Sequence, residues 1–288
     1  MKSLWMDTLV SRKRIYTLNI LQKIVETKKR EVAQATSRVP LTELQAHCRD
    51  LEAPRNFFAA VTREPAGLVN VIAEVKKASP SAGIIRGDFD PVAIAKAYTS
   101  AGADALSVLT DEEYFHGSLD YLRQVRREVA IPILRKDFII DPYQVWESRA
   151  AGADAILLIA EILDDAAMMD MLILAAELRL TALIEVHELD SLLRVLNMLG
   201  FPMRSYSLLG INNRDLTTFK VDLVNSLRLA EFVDDKAVLV SESGIRDRSD
   251  IQRLNAVGIR SVLIGETLMR SGDMGGTMAN LKRIMRQS

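Results

Sequence analysis

The chain has 288 residues, 37 of them basic and 38 acidic, for a formal net charge of −1. Apolar residues make up 49%, enough for a large buried core, and so even a charge balance argues against nucleic acid as the main partner. Cys48 is the only cysteine, which excludes an intrachain disulfide or a cysteine metal cluster and fits a reducing compartment.

The N-terminus is charged (Lys2, Asp7, Arg12, Lys13, Arg14) and lacks the apolar stretch of a signal peptide. No apolar run reaches the roughly 18 residues of a membrane span, so the expectation is a soluble, cytoplasmic protein with no membrane partner. Residues 1–16 carry no further signal. Ile20, Leu21, Ile24 and Val25 then form an apolar stripe at helical spacing. The run Lys28-Lys29-Arg30-Glu31 behind it reads as a solvated helix face. Residues 1–65 are expected to be a helical extension packed on one end of a single domain spanning 1–288.

From about residue 70 a phrase repeats: a short apolar run, a loop, then a helical stretch. Strand candidates begin near Val71, Ala105, Ile131, Ala155, Thr181, Leu208, Ala237 and Arg260, at spacings of 23 to 34 residues. The runs are nearly all apolar rather than alternating, as parallel strands buried on both faces require. Asp90-Pro91 and Asp141-Pro142 each place a capping Asp before a Pro at the first helical position. Gly102 and Gly152 stop helices just before the next strand, within the related phrases AGADALSVL (101–109) and AGADAILLI (151–159). A weaker third version, VGIRSVLIG, covers 257–265. Eight such units predict an α/β fold, the (β/α)8 TIM barrel, and no glycine-rich dinucleotide fingerprint supports an open doubly wound sheet.

In such a barrel the site lies at the C-terminal ends of the strands, and period-two geometry sorts side chains by face. Glu74 and Lys76 share a face on strand one, with Lys77 opposite. Lys136 and Phe138 share one on strand three, opposite Arg135. Strand five ends at Glu185, strand six at Asn212 and then Arg214, and strand seven at Glu242. Two lysines and three glutamates therefore converge on one mouth. Ionisable groups are costly to bury unless paired, and crowded charges shift one another's pKa values, which suits proton transfer. Ser241-Glu242-Ser243-Gly244-Ile245 after strand seven and Ile264-Gly265-Glu266 after strand eight read as phosphate-binding turns, where glycine lets backbone N–H groups approach an anion. His47, His116 and His187 show no ligand spacing; each reads as solvated or hydrogen-bonded, and no metal is expected.

At these residues the sequence closely resembles the indole-3-glycerol phosphate synthase family. The matching phrases are IAEVKKASPSAG (72–83), FDP (89–91), LSVLTDEEYFHGSL (106–119), LRKDFIIDPYQ (134–144), GADAILLI (152–159), EVH (185–187), GINNRDL (210–216), VSESGI (240–245) and IGETLM (264–269), with ILQKIVETKKREV (20–32) matching the family's extension. The resemblance implies a lyase of tryptophan biosynthesis with no cofactor. It would close 1-(2-carboxyphenylamino)-1-deoxyribulose 5-phosphate, an anthranilate-derived ribulose phosphate, to indole-3-glycerol phosphate with loss of carbon dioxide and water. It assigns Lys136 as the acid at the ketone oxygen and Glu185 and Glu74 as the carboxylates of the dehydration, their proton-transfer roles undivided. Lys76 and Asn212 complete that set. For binding it implies Lys76 at the substrate's anionic groups, Ser79 in a loop able to cover the site, and Phe138 and Leu157 as walls for the aromatic ring. Arg214 and Glu242 would shape the pocket, and Ser243, Gly244 and Gly265 would hold the phosphate.

The sequence departs from that pattern at residues 1–16, in a lengthened connection over 198–207, and at Glu266, where a carboxylate suits phosphate only if it points away. The rival readings are another phosphosugar barrel of the pathway, a Schiff-base aldolase using Lys136, and a catalytically silent phosphoanion-binding protein. Cys48 lies outside every strand end, against an isomerase built on a Cys–Asp pair. The chain stops about 20 residues after strand eight, so fusion to a second barrel is not expected; transient association with other tryptophan-pathway enzymes stays open.

Overall fold

The computed structural model describes residues 20–198, 207–215, 218 and 220–282. Eight parallel strands close a barrel in sequence order. They are β1 (Asn70–Val75), β2 (Ala105–Leu109), β3 (Ile133–Lys136), β4 (Ala155–Ile159), β5 (Thr181–Val186), β6 (Ser207–Asn212), β7 (Leu239–Glu242) and β8 (Ser261–Ile264). Among the described residues three helices precede them: α1 (Ile20–Arg38), α2 (Leu41–Arg49) and α3 (Phe57–Thr62). The crossovers carry α4 (Pro91–Ser100), α5 (Leu119–Glu128), α6 (Pro142–Ala151), α7 (Asp165–Glu177), α8 (Leu189–Leu196), α9 (Val224–Leu229) and α10 (Arg248–Ala256), and α11 (Glu266–Met269) and α12 (Met274–Lys282) follow β8. The predicted (β/α)8 barrel is therefore the observed fold.

Alternation explains why the strands read as continuous apolar runs. Ile72, Leu134, Leu157, Leu183, Leu208, Val240 and Leu263 fill the barrel interior, joined by Phe57 and Val61 of α3. Their neighbours Val71, Ala73, Leu106, Val108, Ile156, Leu158, Leu209 and Ile211 face the surrounding helices. Both faces are dry, so neither set needs polar residues. Two strands begin later than their apolar runs: Ile131 precedes Pro132, which has no N–H to pair, and Ala237 falls in a 3₁₀ turn, Lys236–Val238.

The capping signals hold. The Asp90 carboxylate accepts from the N–H groups of Val92 and Ala93, and that of Asp141 from Tyr143, each such cap being worth ~1 kcal/mol. Gly102 and Gly152 take left-handed φ values of 88° and 89°. The repeated AGAD phrase gains a purpose from its aspartates, which sit at the N-terminal end of the barrel. Asp104 Oδ2 accepts the Val71 N–H at 2.8 Å, and Asp154 Oδ2 accepts the Ile133 N–H at 2.9 Å. Each aspartate pins the entrance of the strand before its own.

The expectation for the N-terminal extension needs two corrections. It grips both ends of the barrel rather than one: α3 plugs the N-terminal end, where Asn70 and Ser261 donate to the Val61 carbonyl, while Ile20, Leu21 and Ile24 of α1 line the C-terminal mouth. Lys28, read as part of a solvated face, is only 2% exposed. Its Nζ lies 2.7 Å from Asp111 Oδ2 and 2.9 Å from Asp137 Oδ1, in the loops after β2 and β3. Helical spacing is the cause, since 20, 24 and 28 fall on one face and Lys28 is buried with the stripe. Burial works against its ammonium, but Asp137 and Asp111 outweigh that and raise its pKa. Residues 1–16 and most of the 198–207 connection lie outside the described residues.

Candidate active site

The C-terminal ends of the strands bring the sequence-predicted charges into one cleft. Glu74, Lys76, Lys136, Glu185, Asn212 and Glu242 all line it. Lys136 sits at the last position of β3 with its side chain turned inward; Arg135 turns outward to Glu147 at 2.9 Å and Asp137 at 3.1 Å, as alternation predicts. Lys136 Nζ lies 2.5 Å from Glu185 Oε2 and 2.7 Å from Glu242 Oε2. Asn212 donates its amide to Glu185 Oε1 at 3.1 Å. Lys76, just beyond β1, pairs with Glu74 at 2.5 Å.

Charge crowding separates the two carboxylates on Lys136. Burial disfavours the ammonium, but Glu185, Glu242 and Glu74 together push its pKa above the lysine range. Burial also acts against the Glu185 carboxylate, yet Lys136 and His187 hold it well below the usual value. Glu242 goes the other way, because burial and the neighbouring Glu185 outweigh Lys136 and push it up to about 8. Its Oε1 is buried without a hydrogen-bond partner among the described residues. A Cβ on Gly210 would stand 2.2 Å from that oxygen, so glycine in β6 is what leaves room for the carboxylate.

Directly after Glu242, Ser243 and Gly244 take left-handed φ values of 67° and 77°. The Asn213 amide fixes this turn by donating to the Ser243 carbonyl at 3.0 Å. Gly265 faces the same cleft, and a Cβ there would fall 2.3 Å from Glu74 Oε1, so this glycine makes space for a carboxylate as well as baring its own backbone. Glu266 lines the cleft rather than leaving it, with its charge met by Arg270 at 2.9 Å and Arg214 at 3.4 Å. Arg214 also reaches Ser81 Oγ at 3.3 Å, joining the loop after β6 to the loop after β1 that carries Ser79. Phe138, Leu157 and Ser79 line the cleft too.

Sequence reasoning missed two groups here. Asp137 lines the cleft next to Lys136 and is paired with Lys28, for which the four-residue spacing from Ile24 was the available signal. His187, read as solvated or hydrogen-bonded, is hydrogen-bonded to Glu161 and faces Glu185; its position directly after Val186, at the end of β5, was the signal. His47 and His116 are exposed.

Fold and cleft together define an α/β-barrel protein with a cleft of paired lysines and glutamates at its C-terminal mouth. Residues 21–281 match the model of the indole-3-glycerol phosphate synthase family. The indole-3-glycerol phosphate synthase of Rhodopirellula baltica is 48% identical over 257 residues, 89% of this chain and 96% of its own. That of Albidiferax ferrireducens is 46% identical over 264 residues, 91% of this chain and 98% of its own. Among solved structures, a 3-hexulose-6-phosphate synthase from Salmonella typhimurium shares the fold, with a TM-score of 0.57 at 12% identity over 74% of this chain and 96% of its own. The chain belongs to the indole-3-glycerol phosphate synthase family, whose members are carboxy-lyases of tryptophan biosynthesis.

Proposed function

We propose that this cleft closes 1-(2-carboxyphenylamino)-1-deoxyribulose 5-phosphate to indole-3-glycerol phosphate, with Lys136 as the acid. The arylamine ring is itself the carbon nucleophile, and the ketone oxygen needs a proton as the new bond forms. An ammonium held between two carboxylates carries the reading, for Lys136 is cationic and aimed into the cleft. An alkoxide is far more basic than an amine, so even a tightly held ammonium proton transfers to it. The same geometry disfavours a Schiff-base aldolase, which needs a neutral lysine as nucleophile.

Decarboxylation then restores the indoline, and dehydration takes an acid for the leaving hydroxyl and a base for a proton. Glu185 and Glu74 serve that step, and Asn212 orients Glu185 through its amide. Lys76 binds the substrate's anionic groups, and Glu242 shapes the pocket around Lys136. Phe138 and Leu157 wall the aromatic ring. Arg214 and the turns at Ser243, Gly244 and Gly265 take the phosphate, tolerable beside Glu266 because Arg270 and Arg214 meet that carboxylate's charge, with Ser79 in the covering loop. Among the described residues no helix is long and apolar enough to cross a membrane, which supports a cytoplasmic enzyme, one able to associate transiently with its pathway neighbours.

The test is turnover of the synthetic substrate, following indole fluorescence and released carbon dioxide together. Equal amounts of both are expected. Binding of the substrate with neither product would overturn the proposal in favour of a silent phosphoanion-binding protein.

A further inference from the structure

After β4 a 3₁₀ turn, Ala160–Ile162, brings Glu161 beside the end of β5. Its Oε1 accepts the His187 backbone N–H at 2.9 Å, and its Oε2 lies 3.0 Å from His187 Nδ1. The other ring nitrogen, Nε2, stands 3.3 Å from Glu185 Oε1, with the side chain only 8% exposed. Nε2 makes no hydrogen bond among the described residues, so its link to Glu185 is an ion pair at 3.3 Å, which attracts only when both ring nitrogens carry protons. We propose that His187 is a positioning residue for Glu185, with Glu161 as its anchor.

The inference rests on the assignment of Glu185 to proton transfer made above. In that role Glu185 has a difficulty. Its principal cation, Lys136, gives its proton away during the reaction, leaving a buried carboxylate short of a partner. His187 supplies a second positive charge that the chemistry does not consume. Burial opposes that charge, but the bond to Glu161 and the nearby Glu185 carboxylate outweigh it and raise the imidazole pKa to about 10. The other charged groups around the cleft into which His187 opens are Glu188, Asp215 and Asp222 against Arg214, Lys220 and Arg228, balanced in sign. Asn225 of α9 fixes the backbone by donating to the His187 carbonyl at 3.0 Å.

The experiment compares pH profiles of kcat for the parent, His187→Gln and Glu161→Gln. Without the imidazolium the Glu185 pKa rises, so the acid limb moves to higher pH. At pH 6 both variants are expected to lose about tenfold in kcat, while at pH 8.5 they stay within about twofold of the parent with KM unchanged. The double variant should shift no further than either single one. A uniform loss across all pH values, or no loss, would overturn the proposal. A second readout needs no turnover: the chain has three histidines, so the ¹⁵N NMR signal lost in His187→Gln identifies this ring. It should be doubly protonated at pH 8 in the parent, and a neutral ring at pH 7 would overturn the clamp. A parent without turnover would sink the functional reading instead, and the NMR result would still decide the clamp.

Discussion

Both ends of this barrel bury charged groups, and they treat them differently. At the N-terminal end every aspartate oxygen is met. Asp154 takes Arg55 N at 2.6 Å and Arg126 Nη1 at 2.8 Å on Oδ1, and Ile133 N at 2.9 Å and Arg126 at 2.7 Å on Oδ2. Asp104 likewise holds Arg63, Val71 N and Lys282. At the C-terminal end one lysine is shared by two glutamates, and Glu242 Oε1 has no hydrogen-bond partner among the described residues. The first arrangement is what stability asks of a buried carboxylate. The second keeps protons loosely apportioned among close neighbours, as acid–base work requires. The proposed chemistry and the stability of the fold thus fall to opposite rims.

Four substitutions would break or sharpen that contrast. The largest effect is expected from Lys136→Ala, with a loss of ~10²–10⁴-fold in kcat while substrate still binds, read by steady-state kinetics. Asp154→Ala, at the other rim, should cost about 3–5 kcal/mol in denaturant unfolding, because Arg126 and two backbone N–H groups lose their acceptor, while kcat per folded molecule is kept. Loss of activity without loss of stability there would erase the distinction.

Lys28→Met addresses the α1 latch. Asp137 is held well below the carboxylate range: burial opposes its charge, but Arg135 and Lys28 prevail. A depressed folded pKa contributes stability that is complete above the unfolded value near 4 and is lost as pH falls through the folded one. The variant should be weaker than the parent by roughly 2–3 kcal/mol at pH 7 and converge on it toward pH 2. Equal differences at both pH values would show packing, not charge, to be the latch. Gly210→Ala is the mildest: a methyl in contact with Glu242 displaces it from Lys136, and kcat should fall roughly tenfold with KM held. An unchanged kcat would mean that the orphaned oxygen has room to move.

The barrel itself was legible because its signals are local and repeated. All eight strands fall within two residues of the apolar runs, and the Asp-Pro caps and glycine stops carry their own geometry. The mouth was legible by the same alternation, which placed Lys136, Glu185 and Glu242 together before any distance was known. Pairings set by tertiary packing were not. Lys28 looks like its charged neighbours 29 to 31 until the loops after β2 and β3 present two aspartates to it. Glu161 and His187 are 26 residues apart and meet only because β4 and β5 are adjacent. Glu242 shows its shifted proton only through its burial beside Glu185 and Lys136.

The most direct measurement is kcat for Lys136→Ala at saturating carboxyphenylamino-deoxyribulose 5-phosphate, alongside the unfolding midpoints of this variant and of Asp154→Ala. Product is expected from the parent and almost none from Lys136→Ala, which should stay folded and outlast Asp154→Ala in denaturant. Comparable turnover by the parent and Lys136→Ala would contradict this, removing Lys136 from proton donation and with it the division of labour between the two ends.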